Sequence, residues 1–222
     1  MVIEKMSPKY VSLCFDDGYL EHYKIAKALY KLDAPATFFM ITGLSEYRGK
    51  KLLIKDVKLV KEIDDLGHEI ASHTHLHRNL TLLSDKEIEE ECRKSIEVLD
   101  SILRDRTDVY GFAYPYGAYN KRVISIVSRY FKYGRTMGKT NRWNTIVDRF
   151  KIGSMGLRHL IKYPFKKFKH NPRLIVITFH DENALVVKSL VQLLKVADFK
   201  IVTLAEALSS LSDAAFSLHI EY

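Results

Sequence analysis

Val11-Ser12-Leu13-Cys14-Phe15-Asp16-Asp17-Gly18 is an apolar run that ends in two adjacent carboxylates and a glycine. A short apolar run halted by Asp and Gly reads as a buried strand opening into a loop, because glycine tolerates the sharp turn that follows. Both carboxylates then stand at the C-terminal end of the strand. Neighbouring acids beside a core strand repel each other and lose hydration, so they need a cation or hydrogen bonds. A metal ion is the natural candidate, whereas a solvated turn that caps the next helix would suit an isolated pair.

The pair is not isolated. His73-Thr74-His75-Leu76-His77, Tyr114-Pro115-Tyr116-Gly117 and Phe179-His180-Asp181 each follow another strand-like run. Four strands delivering polar chemistry at one end is how a parallel α/β barrel assembles a site from loops distant in sequence. The segments between them fit that class. Helical spacing covers Glu21 to Leu32, and Asp33-Ala34-Pro35 ends it; Ala36 to Ile41 is the second strand. Leu44 to Leu53 reads as a polar, irregular connector, and 56–66 as a helix with a glycine stop at Gly67. His68 to Ser72 is a strand. Ser84 and Glu87 have the spacing of a capping box, which launches a helix to about Arg104. Val109 to Ala113 is a strand and 120–129 a helix; Tyr130 to Gly134 and Phe150 to Ile152 are weaker strand candidates. Leu174 to Phe179 is a buried strand, Ala184 to Val196 a helix, Lys200 to Thr203 a strand and Leu204 to Leu211 a closing helix. Alternation of this kind gives an α/β class.

With 222 residues, 47% hydrophobic and 28% charged, residues 1–222 are expected to form a single domain. The 35 basic and 27 acidic residues leave a formal charge of +8, which favours anionic partners. The charge is spread, and no helix-turn-helix, zinc-finger or RNA-binding aromatic pattern accompanies it, so no specific nucleic acid is expected. Its densest part, Lys162 to His170, lies in a 162–173 segment that reads as a solvated basic loop. Cys14 and Cys92 offer neither a metal spacing nor a disulfide framework and read as packing residues. No apolar run is long enough to cross a bilayer, and the short, charged start has no secretory pattern, so a cytoplasmic chain is expected. The oligomeric state is not legible.

Read together, Phe15-Asp16-Asp17-Gly18, His73-Thr74-His75-Leu76-His77, Tyr114-Pro115-Tyr116-Gly117 and Ile177-Thr178-Phe179-His180 resemble the motifs of the polysaccharide deacetylase family, the carbohydrate esterases of family 4 built on the NodB homology domain. They follow the family's order, and the resemblance runs from about Val11 to Leu208. It implies a distorted, incomplete (β/α) barrel that uses a divalent metal to remove acetyl groups from N-acetylated sugars. It makes Asp17, His73 and His77 the metal ligands, a set that leaves coordination positions open, as catalytic sites do. Zinc is the first choice, with cobalt, nickel or iron as alternatives. By the same resemblance Asp16 is the general base that activates the attacking water, the backbone N–H of Tyr116 helps hold the oxyanion, and His180 protonates the departing amine. Tyr114, Pro115, Tyr116 and Trp143 are candidates to meet the sugar, with packing in the core or at the rim as the alternative for the aromatic residues.

Two family features are absent from their places. An arginine that pairs with the base aspartate usually stands two residues before the motif proline, where this chain has Ala113; Arg135 is a candidate replacement. The aspartate that tunes the acid histidine is missing near Trp143, and Asp148 and Asp181 are the nearest substitutes. His22 and His68 read as surface or hydrogen-bonded structural residues, and His75 as a non-ligand. These gaps leave two alternatives to sugar deacetylation: hydrolysis of a small non-sugar amide or cyclic ureide, or a non-catalytic carbohydrate- or anion-binding relative.

Overall fold

The computed structural model describes residues 9–103, 110–138, 148–158 and 174–217. In chain order the elements are β1 (Tyr10–Phe15), α1 (His22–Tyr30), β2 (Thr37–Met40), β3 (Glu46–Tyr47), β4 (Lys50–Lys51), α2 (Val57–Asp65), β5 (Glu69–Ser72), α3 (Asp85–Ile102), β6 (Gly111–Ala113), α4 (Lys121–Val127), β7 (Tyr133–Met137), β8 (Ile152–Gly156), β9 (Leu174–Phe179), α5 (Ala184–Val196), β10 (Lys200–Ile201) and α6 (Leu204–Ser217).

The opening strand organises the sheet. β1 lies in register with all six residues of β9, from Tyr10 opposite Leu174 to Phe15 opposite Phe179, and its last two residues also pair with β2. The parallel ladder continues through β5, β6, β7 and β8 back to β9, so seven strands close into a ring. This is the expected distorted barrel, one strand short of a complete eightfold one. The two-residue β10 pairs with the start of β1.

Strand alternation divides the side chains between two cores. Leu13, Phe15, Phe38, Ile70, Phe112, Ile177 and Phe179 face the helices, and Phe15 stacks between Phe38 and Phe179 at 4.9 Å on each side. The other set, including Cys14, Phe39, Ala71, Ala113, Tyr133 and Ile152, fills the barrel together with Leu204 and Leu208 of α6. At this lower end the buried Glu69 carboxylate accepts hydrogen bonds from Thr37, Tyr133 and the Ala205 amide. These bonds satisfy an acid that would otherwise be costly to bury. Cys14 and Cys92 are buried free thiols, as their packing role requires.

Three sequence expectations need correction. Leu44 to Leu53 is no irregular connector: β3 and β4 form an antiparallel hairpin whose turn residues, Arg48 (φ 49°) and Gly49 (φ 75°), match the primed turns that suit strand twist. β7 and β8 lie further along the chain than the apolar runs suggested, because their inward positions carry Arg135 and Ser154. α6 continues to Ser217.

Candidate metal centre

Asp16 and Asp17 leave the end of β1, where the Asp16 amide donates to the Phe179 carbonyl and extends the β1–β9 ladder by one bond. His73 leaves β5 in the same way, through its amide to the Met40 carbonyl. Beyond these points the backbone bends sharply. Asp17, Thr74, His77 and Tyr116 all adopt positive φ, between 56° and 69°, a conformation that costs energy for residues with a Cβ and clusters at functional sites. The bend after His73 is a tight loop, not a helical turn. Its amides are held by side chains: His77 N–H donates to Thr74 Oγ1, and the amides of His75 and Leu76 donate to the buried Glu91 carboxylate of α3 at 3.0 and 2.8 Å. His75 points to Thr42 instead of the centre, in keeping with its reading as a non-ligand.

The loop brings the two imidazoles to one carboxylate. Asp17 Oδ1 lies 3.6 Å from His73 Nε2 and 3.5 Å from His77 Nε2, and the three ligand atoms fall within 4.8 Å of one another. Ligands at about 2.1 Å around a tetrahedral ion stand roughly 3.4 Å apart, so the spacing suits a small divalent cation. Tautomer and protonation agree. His73 Nδ1 donates to the Ala113 carbonyl at 2.9 Å, which leaves the Nε2 lone pair facing Asp17. Burial lowers the pKa of both rings, that of His77 to about 3 with a further push from His73. His77 Nδ1 is buried with no hydrogen-bond partner among the described residues, so its tautomer is free to turn the Nε2 lone pair the same way. Two neutral imidazoles bring no positive charge to the carboxylate, which a metal ion would supply.

Asp16 stands beside this trio with a different partner. Its Oδ1 is bonded by Arg135 Nη2, and Oδ2 lies 3.7 Å from His180 Nε2 and 4.0 Å from His73 Nε2. Burial alone would raise the Asp16 pKa, but the Arg135 guanidinium, and then His73 and His180, outweigh it and hold the carboxyl below the usual range. Arg135 is fully buried, lies over the Phe39 ring at 4.9 Å, and reaches Ser154 and Thr178 hydroxyls through Nη1. It is the cation missing at Ala113. In the β6–β7 pairing Ala113 is the direct partner of Arg135, so the two positions enter the barrel at the same level from adjacent strands.

The remaining candidates divide. Neither Asp148 nor Asp181 meets the His180 ring: Asp148 binds Lys151 and the Phe150 amide, and Asp181 binds Lys50 of the hairpin. Tyr114 is 1% exposed and its hydroxyl donates to the Phe150 carbonyl, so it packs in the core and does not meet a sugar; Pro115 is buried as well. Tyr116 is 59% exposed at the rim. It and Tyr47 bracket the His77 ring, with centroids 4.8 and 4.6 Å away. Trp143 and the 162–173 segment lie outside the described residues. Tyr47, Glu91 and His22, which carries the His180 carbonyl at 2.6 Å, have no motif to mark them, although the buried acid on α3 stands out as a break in that helix's apolar face.

Comparison with known proteins agrees with this geometry. A family model described as Polysaccharide deacetylase matches residues 3–132. The Bacillus subtilis protein YxkH, named as a polysaccharide deacetylase, is 32% identical over 138 residues, 62% of this chain and 46% of its own length. This chain therefore spans about half of that relative. Among solved structures, a T48 deacetylase with substrate superposes with a TM-score of 0.66 at 24% identity, covering 91% of this chain and 92% of that one. A family 4 pseudoenzyme from Bacillus anthracis superposes with a TM-score of 0.65 at 19% identity, covering 90% and 66%. At these identities the two superpositions speak for the fold. The family model covers more than half of the chain and includes both carboxylates and both imidazoles of the centre: the chain belongs to the polysaccharide deacetylase family.

Proposed function

We propose that this chain is a metal-dependent hydrolase that removes the acetyl group from an N-acetylated sugar, zinc being the first candidate for the ion held by Asp17, His73 and His77. A bound divalent ion supplies Lewis acidity, polarising an amide carbonyl and acidifying a coordinated water. The protein's own groups would do the rest. Asp16, with Oδ1 occupied by Arg135, has Oδ2 available to take a proton from the attacking water. The low pKa that Arg135 and its neighbours impose keeps this base ionised at neutral pH. His180, 3.7 Å from that oxygen, is placed to pass a proton to the departing nitrogen, which leaves poorly without one. The backbone N–H of Tyr116, aimed by a strained φ of 60°, is the candidate oxyanion donor.

The observation that carries this reading is the Asp16–Arg135 pair. A binding-only relative was suggested by the absence of the family arginine, and that argument loses its basis once Arg135 occupies the same level from the next strand. Fold alone does not decide turnover, since the Bacillus anthracis pseudoenzyme shares it. The test combines metal and activity. Wild type, His73→Ala and Asp16→Asn, purified without a histidine tag, are assayed by elemental analysis, by acetate release from acetylated chitooligosaccharides and small N-acetyl amides, and by loss of cyclic amides and ureides followed chromatographically. The expected result is one ion per chain in wild type and Asp16→Asn, none in His73→Ala, and turnover of the sugars by wild type only. Asp16→Asn that hydrolyses at the wild-type rate would remove the base from the scheme, and hydrolysis of the small amides alone would transfer the function to them.

A further inference from the structure

His180 sits at the end of β9 with no carboxylate on its ring apart from Asp16 among the described residues, yet its backbone is held from both sides. Its amide donates to Glu182 Oε2 at 2.6 Å, and its carbonyl accepts from His22 Nε2, also at 2.6 Å. One residue earlier, the Phe179 carbonyl takes the Asp16 amide at 2.9 Å. Both peptide groups that flank the His180 Cα are thus fixed, and 158 residues separate His22 from the carbonyl it binds.

His22 is built to do this. It is the first residue of α1, 1% exposed, and its ring meets the edges of Phe15 and Tyr19 at 5.4 and 5.6 Å. A carbonyl oxygen only accepts, so Nε2 carries the hydrogen and Nδ1 is left with a lone pair. That Nδ1 is buried with no hydrogen-bond partner among the described residues. An unsatisfied buried nitrogen is destabilising, and a phenylalanine would fill the same aromatic pocket without it. What the histidine offers in exchange is the donor to His180.

We propose that His22 is a positioning residue that, with Glu182, orients His180 through its main chain and so takes over the work of the family carboxylate that the sequence lacks near Trp143. This deepens the reading of His180 as the proton donor and rests on it. A side chain 45% exposed, as His180 is, wanders unless its Cα is fixed, and misplacement by about 1 Å can cost about 100-fold in rate.

The test compares His22→Phe, which keeps the packing and deletes the donor, with His22→Gln, which keeps an N–H. On metal-loaded protein, His22→Phe is expected to retain its ion and its KM within about twofold while kcat falls by about 10- to 100-fold. His22→Gln recovers a large part of the loss, which a purely structural role would not produce. A second readout needs no substrate: the backbone order parameter of His180 from 15N relaxation, expected near 0.85 in wild type and below about 0.6 in His22→Phe. Wild-type kcat and wild-type order in His22→Phe would overturn the proposal. If wild type hydrolyses no acetylated compound, the functional reading fails by itself, and the order parameter alone decides the clamp: retained order in His22→Phe overturns it.

Discussion

Arg135 illustrates how a site can keep its chemistry and change its sequence. Residues paired across two parallel strands project to the same side, so an arginine at Ala113 or at Arg135 enters the barrel at the same level. Arg135→Met leaves the buried Asp16 carboxylate without its strongest partner, and breaking such a pair costs about 3–5 kcal/mol. The expected outcome is a fall in denaturant midpoint together with near-complete loss of turnover. The informative variant is the double one, Ala113→Arg with Arg135→Ala. If the barrel level of the charge is what matters, this relocation restores much of the rate lost in Arg135→Ala alone; activity no better than the single variant would mean that the Ser154 and Thr178 contacts of Arg135 are indispensable. From sequence, the centre was legible where residue types are unusual in their setting: paired acids after an apolar strand, and histidines four apart. Arg135 was legible only as a candidate, because no spacing rule links it to Asp16, 119 residues away. Tyr114 kept two readings for a similar reason. Its type suits a sugar, and only packing shows that its hydroxyl is taken by Phe150.

Among the elements, α3 is the best specified by local chemistry, and it holds the histidine loop through Glu91. Its start is a complete capping box: the Ser84 hydroxyl accepts from the Glu87 amide, and the Glu87 carboxylate accepts from the Ser84 amide. Ser84→Ala should lower stability by about 1 kcal/mol, read as a shift in denaturant midpoint. The box also has a pH signature. Hydrogen bonds, first from the Ser84 backbone and then from Arg78, lower the Glu87 pKa from 4.5 to about 2 in the folded state. A group depressed on folding contributes stability that is fully present above its unfolded pKa and lost as pH falls through the folded one. Melting temperature should therefore fall between about pH 4.5 and 2 more steeply in wild type than in Glu87→Gln; equal slopes would show that the carboxylate contributes nothing through the cap. This cap is why the start of α3 could be read from sequence. The barrel strands were harder in proportion to what they hold. β9, apolar but for Thr178, is where its composition puts it, whereas β7 and β8 carry an inward arginine and serine that serve Asp16 and mask the strand signal. The β3–β4 hairpin was hidden because two-residue strands have no period to detect, and its φ values fall partly on an arginine.

At the scale of the whole molecule, closure of the sheet brings the ends of β1 and β5 together with the loops after β6 and β9, so residues far apart in sequence meet around one small volume. Asp17 is contributed by one loop and both histidines by another, and β2 lies between their strands. A cation held there ties these segments to each other in the folded state only, since an unfolded chain has no preformed set of ligands. Linkage then makes metal binding a stability measurement that needs no substrate. At a free zinc concentration about 100 times its dissociation constant, the folded state gains about 2.7 kcal/mol. For a chain of this size that raises the melting temperature by about 5–10 °C. The rise should be present in wild type, retained in Asp16→Asn, and absent in a His73→Ala, His77→Ala double variant. The distinction between Asp16 and the histidines is the discriminating part, because all of them are buried acids or bases in one cluster and a general loss of packing would affect every variant alike. Stabilisation that survives in the double variant would locate zinc elsewhere on the chain; stabilisation lost in Asp16→Asn as well would make Asp16 a ligand and take from it the role of base.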